Sequence, residues 1–181
     1  MKKISIIAVI LAFILVFTGC KGNNQADNAS NPLPTDQSGV PIETEDGKVT
    51  YSYNGATAVL PNTFTDYTTN AIGADYTFLY AEAYVGLGGI EEFKDELNEN
   101  ITSLDSYVSY RASLVGAEPT QENGQWTMCY EDMTQNEAQM VVCVFHETEE
   151  SFWIIQSYCT SDVFSEHEAE MWNYVNSVTF E

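Results

Sequence analysis

Hydrophobic and polar positions divide the chain into three stretches of different character. From Ile4 to Phe17 the side chains are apolar almost without interruption, Ser5 being the exception. From Lys21 to Asp46 the chain turns to Asn, Ser, Gln and Asp, with Pro32, Pro34 and Pro41 and hardly an apolar side chain. Such a segment cannot bury enough surface to fold. Periodic apolar positions begin near Gly47 and continue to the end, so the folded part is predicted over residues 47–181.

Within that part, Lys48 to Tyr53 and Ala56 to Leu60 read as strands around Asn54-Gly55, the dipeptide that best supplies the positive φ angles of a two-residue hairpin turn. Pro61 ends the second strand. Asp75 to Val85 alternates, with Tyr76, Phe78, Tyr80, Glu82 and Tyr84 on one face and Thr77, Leu79, Ala81, Ala83 and Val85 on the other. Gly86-Leu-Gly-Gly89 reads as an interruption. After it, Ile90, Phe93, Leu97, Ile101, Leu104 and Val108 recur at helical spacing, which predicts an amphipathic helix running to Val115 with Gly116 as its cap. One helix of that length would be about 39 Å long, so a break is predicted around Thr102 to Asp105.

Gln125 to Asp132, Ala138 to His146 and Phe152 to Cys159 read as a meander of three strands. Ser165-Glu166-His167-Glu168 has the pattern of a capping box, and Ser161 offers an earlier cap. A last helix is therefore predicted within Asp162 to Asn176, with Phe164, Met171, Trp172 and Val175 turned inward. Val178-Thr179-Phe180 can close the chain as an edge strand. Mostly local, antiparallel pairing makes this an α+β fold: an antiparallel sheet of about six strands flanked by helices.

The first stretch carries a short basic start, Lys2 and Lys3, ahead of its apolar run. That is the layout of a signal peptide, and the run falls short of the roughly 20 apolar residues that span a bilayer. It ends in Phe17-Thr18-Gly19-Cys20, which resembles the lipobox of bacterial lipoproteins, with Phe17 where Leu is more usual. The resemblance implies cleavage before Cys20 and acylation of its thiol. Each buried methylene contributes about 0.8 kcal/mol, so two or three acyl chains anchor stably where one is marginal. The predicted organisation is a leader over residues 1–19, a lipidated cysteine and disordered polar tether over 20–46, and one domain over 47–181. Read as a flexible coil, the tether reaches roughly 28 Å. The expected location is the extracytoplasmic face of the cell membrane, lipid-anchored.

Charge narrows the partners. There are 6 basic against 27 acidic residues, a formal net charge of −21, and two of the six basic residues lie in the leader. A field of that sign repels phosphate backbones and anionic head groups, which argues against nucleic acid and against docking of the domain face on a membrane. Neutral or cationic ligands, or an envelope protein, remain; high acidity also serves solubility alone.

Three cysteines follow Cys20, each on or ending a predicted strand. If the hairpin turn between the first two centres near Asn136, Cys129 and Cys143 sit directly opposite one another, close enough for a cross-strand bridge. An odd count then leaves Cys159 unpaired; the alternative is three small buried apolar side chains. Cys143 and His146 are three apart on a strand and point to opposite faces, and His167 reads as a solvated first-turn residue, so no thiolate with a neighbouring base is expected. No HExxH, GxSxG, phosphate-binding glycine loop or CxxC occurs. Two histidines give a transition metal few ligands, and neither metal nor cofactor is expected.

Glu91, Glu92, Asp95, Glu96 and Glu99, and then Glu147, Glu149 and Glu150, read as solvated acidic faces rather than as a calcium loop. Asn100-Ile101-Thr102 matches a glycosylation sequon that carries no meaning in a bacterium. The row Tyr76, Phe78, Tyr80 and Tyr84 beside Glu82 can stack on sugar rings or grip a peptide, and a helix packed over that face gives the identical pattern.

The opening hairpin running into Leu60-Pro61-Asn62-Thr63-Phe64, the strand from Asp75, Gly89-Ile90-Glu91-Glu92-Phe93, and the closing Trp172 to Phe180 together resemble the PsbP-like fold. That family includes photosystem accessory proteins, a Ran-binding import factor and many bacterial lipoproteins. The resemblance spans about Gly47 to Glu181 and implies an accessory or binding role, with no functional residue to carry over. The expectation is a non-catalytic, membrane-anchored binding module; the alternatives are a cell-envelope hydrolase using a carboxylate pair and a structural envelope protein.

Overall fold

A computed structural model describes residues 42–43, 47–68, 76–133 and 137–180. The leader, Cys20 and nearly all of the tether lie outside the described residues, as do Asp75 and the turn at Asn136. The chain opens with β1 (Ile42–Glu43), β2 (Lys48–Tyr53) and β3 (Ala56–Pro61), followed by β4 (Thr65–Asp66), β5 (Phe78–Ala81) and β6 (Gly86–Phe93). Next come α1 (Leu104–Val115), β7 (Thr120–Glu122), β8 (Gln125–Asp132), β9 (Gln139–Glu147) and β10 (Ser151–Thr160). The chain closes with α2 (Phe164–Ser177) and β11 (Thr179–Phe180).

The strands form two antiparallel sheets. One is four-stranded in the order β1-β2-β3-β11, the other seven-stranded in the order β4-β5-β6-β10-β9-β8-β7. Asn54 (φ 47°) and Gly55 (φ 79°) make the predicted hairpin turn. Tyr51 is buried beneath that hairpin and donates its hydroxyl to the Phe64 carbonyl at 2.9 Å.

The large sheet is buried on both faces. Val142, Val144, Trp153, Ile155 and Cys159 face the small sheet and Met171, Tyr174 and Val175 of α2. Their neighbours Cys143, Phe145, Phe152 and Ile154 point the other way, against Tyr107, Val108 and Ala112 of α1. The result is a sheet sandwiched between α1 and a layer made of α2 and the small sheet.

The helix expected from Ile90 is overturned. Gly86 to Phe93 is a strand, paired with β10 on one side and β5 on the other. The glycines that read as an interruption leave room for aromatic rings: a Cβ on Gly86 would overlap the Tyr158 ring, one on Gly88 the Tyr76 ring, and one on Gly89 the Phe78 ring. Residues 94–103 form turns, with Glu96 N–H donating to Phe93 O (3.1 Å) and Ile101 N–H to Asn98 O (2.8 Å). The helix begins where a break was expected. Ser103 caps α1 in a reciprocal box with Ser106, and Gly116 (φ 70°) ends it as expected.

Other bounds agree closely. The strand expected at Gln125 to Asp132 is found there, and the two after it differ by a residue or so at each end. α2 departs from its predicted start, because Val163 takes the cap position without a side-chain hydrogen bond and Ser165 lies inside the first turn. Thr179–Phe180 closes the small sheet as an edge strand beside β3.

Gly89→Ala tests this account of β6. Phe78 is only 2% exposed and stacks on Tyr80, so its ring has nowhere to retreat. The variant should lose about 1–3 kcal/mol in urea unfolding. An unchanged midpoint would show that the strand has slack which the packing denies.

Candidate functional site

The β2–β3 turn and β11 meet the β9–β10 turn at one end of the two sheets. A cleft of about 290 Å³ opens there, lined by Asn54, Gly55, Glu91, residues 148–150, Ser151, Trp153 and Phe180. Cross-strand pairing places Trp153 opposite both Glu91 and His146. Phe180 packs on Trp153 (5.2 Å between ring centres) and on His146 (4.8 Å). The 148–150 turn is tied down from β6: Lys94 Nζ donates to the carbonyls of Thr148 (2.6 Å) and Glu149 (3.3 Å), and pairs with Glu147 at 2.9 Å. Ser151, 1% exposed, donates its hydroxyl to Glu91 Oε1 at 2.9 Å and shares a 2.8 Å bond with Thr148 Oγ1. Behind Phe180, His146 Nε2 is buried without a hydrogen-bond partner, and burial lowers the pKa of that ring. Its neutral form is favoured.

The expected aromatic row does not assemble as one surface. Only Phe78 to Ala81 are in the ladder, which stops where Glu82 N–H turns back to Val85 O (3.0 Å). Tyr76 lies against Gly88 and its hydroxyl accepts from Gln156 Nε2 on the α1 side of the sheet. Phe78 and Tyr80 are buried on the opposite face, Tyr80 against Tyr51 at 4.4 Å. Tyr84, 64% exposed, stacks on His167 at 5.6 Å. Four residues of a period-two pattern are thus real, and the ends of the row go elsewhere.

Glu82 joins a cluster that sequence reasoning missed. Its Oε2 accepts from Thr63 Oγ1 at 2.8 Å, and its Oε1 lies 3.5 Å from the Tyr174 hydroxyl. That hydroxyl also donates to Glu170 Oε1 at 2.7 Å, while His167 Nδ1 sits 3.1 Å from Glu170 Oε2. The legible signal was the three- and four-residue spacing of His167, Glu170 and Tyr174 on one helix face. Two carboxylates thus meet at one phenol, which makes them the pair to test against a carboxylate-pair hydrolase. The hydrogen bond from Tyr174 nevertheless holds Glu170 below the usual carboxylate range, with help from His167. It is set up as an anion and not as a proton donor.

The cysteines also depart from expectation. Met128, not Cys129, stands opposite Cys143, and Cys129 stands opposite Val142. The one-residue difference turns Cys129 and Cys143 to opposite faces of the sheet, and all three thiols are free. Burial pushes the thiol pKa of Cys143 up, that of Cys159 to about 11, and that of Cys129 up as well, with Glu168 adding to the last. Protonated thiols are poor nucleophiles. Cys143 and His146 do fall on opposite faces, and the His167 ring is occupied by Glu170 and Tyr84.

Glu91 and Glu92, expected on one helix, point to opposite sides of β6. Glu92 accepts from the Tyr107 hydroxyl (2.5 Å) and pairs with Arg111 (3.2 Å). Among the described residues, no group of three or more His, Cys, Asp or Glu side chains could hold a metal ion.

Two measurements check these assignments. Unfolded without reductant and alkylated, the protein should carry label on Cys129, Cys143 and Cys159 alike, read by peptide mass spectrometry; protection of the first two would restore the bridge. The Glu170 carboxyl should titrate below an ordinary glutamate, and Tyr174→Phe should raise it toward the ordinary value in an NMR titration. Because the folded pKa is depressed, this group's stabilisation is present above the unfolded carboxylate range and fades as pH falls through the folded value.

No protein-family model matches the sequence, and no curated protein matches it. The chain is similar to the solution structure of the cyanobacterial PsbP protein CyanoP from Synechocystis sp. PCC 6803, with a TM-score of 0.53 and 10% identity over 76% of this chain and 95% of that one. It is also similar to the crystal structure of the Ran-binding protein Mog1p of Saccharomyces cerevisiae, with a TM-score of 0.46 and 8% identity over 78% of this chain and 94% of that one. The α+β architecture described above is PsbP-like.

Proposed function

We propose that the chain is an extracytoplasmic lipoprotein that acts as a non-catalytic accessory or binding module at the end of its tether. The observation that carries this reading is the order of segments: an apolar leader closing on Gly19-Cys20, a polar stretch, and a fold whose first long strand starts at Lys48. Side-chain chemistry supports the non-catalytic part. The thiols are biased to their protonated forms by burial, and Glu170 is held ionised by its hydrogen bonds. Among the described residues no helix is long and apolar enough to cross a membrane. Independently of that, the lipobox-like context of Cys20 is the attachment that the sequence offers.

A second reading, a hydrolase using a carboxylate pair, is favoured by Glu82 and Glu170 around the Tyr174 hydroxyl. The depressed pKa of Glu170 weighs against it, since such a pair needs one member that holds its proton near neutral pH.

Cys20→Ala should abolish incorporation of radiolabelled fatty acid and shift the protein out of the membrane fraction in cells that express it. Full membrane retention of the unlabelled variant would overturn the anchoring.

A further inference from the structure

A two-residue edge strand closes the small sheet. β11 pairs with β3 through Thr179↔Thr57 and Phe180↔Ala56. Beyond that ladder it is held by the Phe180 ring, which packs on Trp153 at 5.2 Å and on the His146 ring at 4.8 Å. Short edge elements of this kind open at the lowest free energies in a fold.

His146 is the titratable group beneath that ring. Its Nε2 is buried and has no hydrogen-bond partner. A neutral imidazole with its proton on Nδ1 leaves only a lone pair bare there, whereas the imidazolium turns Nε2 into a charged N–H donor with no acceptor in reach. The Phe180 ring face attracts a cation, but it supplies no lone pair to that N–H.

The elements packed around His146 bring no counter-charge to it. Trp153 faces it from β10, and Gln125 from β8 when the ladder Thr127↔Val144 is continued. Behind Phe180 the small sheet presents Ala56 and Tyr53. The last two turns of α2, Met171 to Ser177, contain no charged residue, and the Tyr174 hydroxyl is engaged by Glu170. Glu91 shares the face of His146 but stands beyond Trp153, with Ser151 on its carboxylate, and Glu122 stands beyond Gln125. Glu149 and Glu150 line the cleft on the following turn. Glu147 pairs with Lys94, which lies over Phe152 on the α1 side of the sheet. Burial lowers the His146 pKa, and no neighbouring charge offsets it.

We propose that β11 is an acid-released clasp: protonation of His146 drives Phe180 off the large sheet and frees the edge of β3. The uncharged ring is a seat for Phe180, and the imidazolium recovers water only when that seat opens. Release uncovers Trp153, which is 1% exposed in the closed form, and leaves backbone groups of β3 unpaired along an open sheet edge. The sign follows from linkage. The closed form holds its proton more weakly than a free imidazole of pKa about 6.5, so closure is fully favoured above that value and weakens as pH falls toward the folded one.

Hydrogen exchange of the full-length lipidated protein in non-ionic detergent, read by mass spectrometry and corrected for the intrinsic pH dependence of exchange, tests the clasp. Protection of the β11 amides in the C-terminal peptide should fall about tenfold between about pH 7.5 and about pH 5.5, while peptides from β10 keep theirs. His146→Phe, which keeps a ring and loses the titration, should hold β11 protection constant over that range. His167→Gln should retain the wild-type drop. NMR of the wild-type protein supplies a readout that needs no variant: the His146 imidazole should titrate below the ordinary histidine range. Constant protection in the wild type, a drop that persists in His146→Phe, or an ordinary His146 titration each overturns the clasp. None of these outcomes depends on the lipid at Cys20.

Discussion

Two-sided burial of the central strands is the constraint from which the architecture follows. Every position of Met140–Phe145 in β9 and of Phe152–Ile155 in β10 is apolar, and the pleat sends Val142, Val144, Trp153 and Ile155 one way and Cys143, Phe145, Phe152 and Ile154 the other. Each large side chain removed from water contributes about 1.5–3 kcal/mol, so neither face can be left bare. α2 and the small sheet cover one side, α1 the other. The stacked pair Tyr107 and Phe152, 4.7 Å apart, shows how a helix of 12 residues secures its side with a few large rings. The glycines of β6 answer the same demand. Where Tyr158, Tyr76 and Phe78 already occupy the layers above and below the strand, only a residue without a side chain completes the sheet.

This explains which parts of the fold could be read in advance. The opening hairpin was legible because Asn54-Gly55 is a local chemical instruction that tertiary contacts need only accept. The strand at Gln125 to Asp132 was legible because polar residues flank it in sequence on both sides. Residues 86–93 were not, because glycine carries two meanings, chain flexibility and space for a neighbour, and the rings that choose between them come from distant positions such as Tyr158. The helical spacing of Ile90, Leu97 and Ile101 was real as a pattern. It reflects one strand residue and two turn residues that reach the same α1-side core.

The candidate sites were less legible, for a sharper reason. Whether Cys129 meets Cys143 depends on the centre of a turn, and a shift of one residue turns the side chain to the other face. The aromatic row from Tyr76 to Tyr84 failed through the turn at Glu82, which a period-two pattern does not register. Glu82 meets Glu170 and Tyr174 from far away in the chain, and Glu91, Ser151 and Phe180 likewise come from distant positions. Acidic residues read earlier as undifferentiated solvated faces thereby acquire different roles: Glu92 is paired with Arg111, Glu147 with Lys94, and Glu91 with the buried hydroxyl of Ser151.

Charge then connects the site to the proposed setting. Ion pairs engage Glu147, Glu92 and Glu170, and the formal net charge of the chain is −21. At physiological ionic strength such a field decays over about 8 Å. On the proposed anchoring, a tether that behaves as a flexible coil of roughly 28 Å reach lets the domain move beyond that range from anionic head groups, where its own field acts on solutes near its surface.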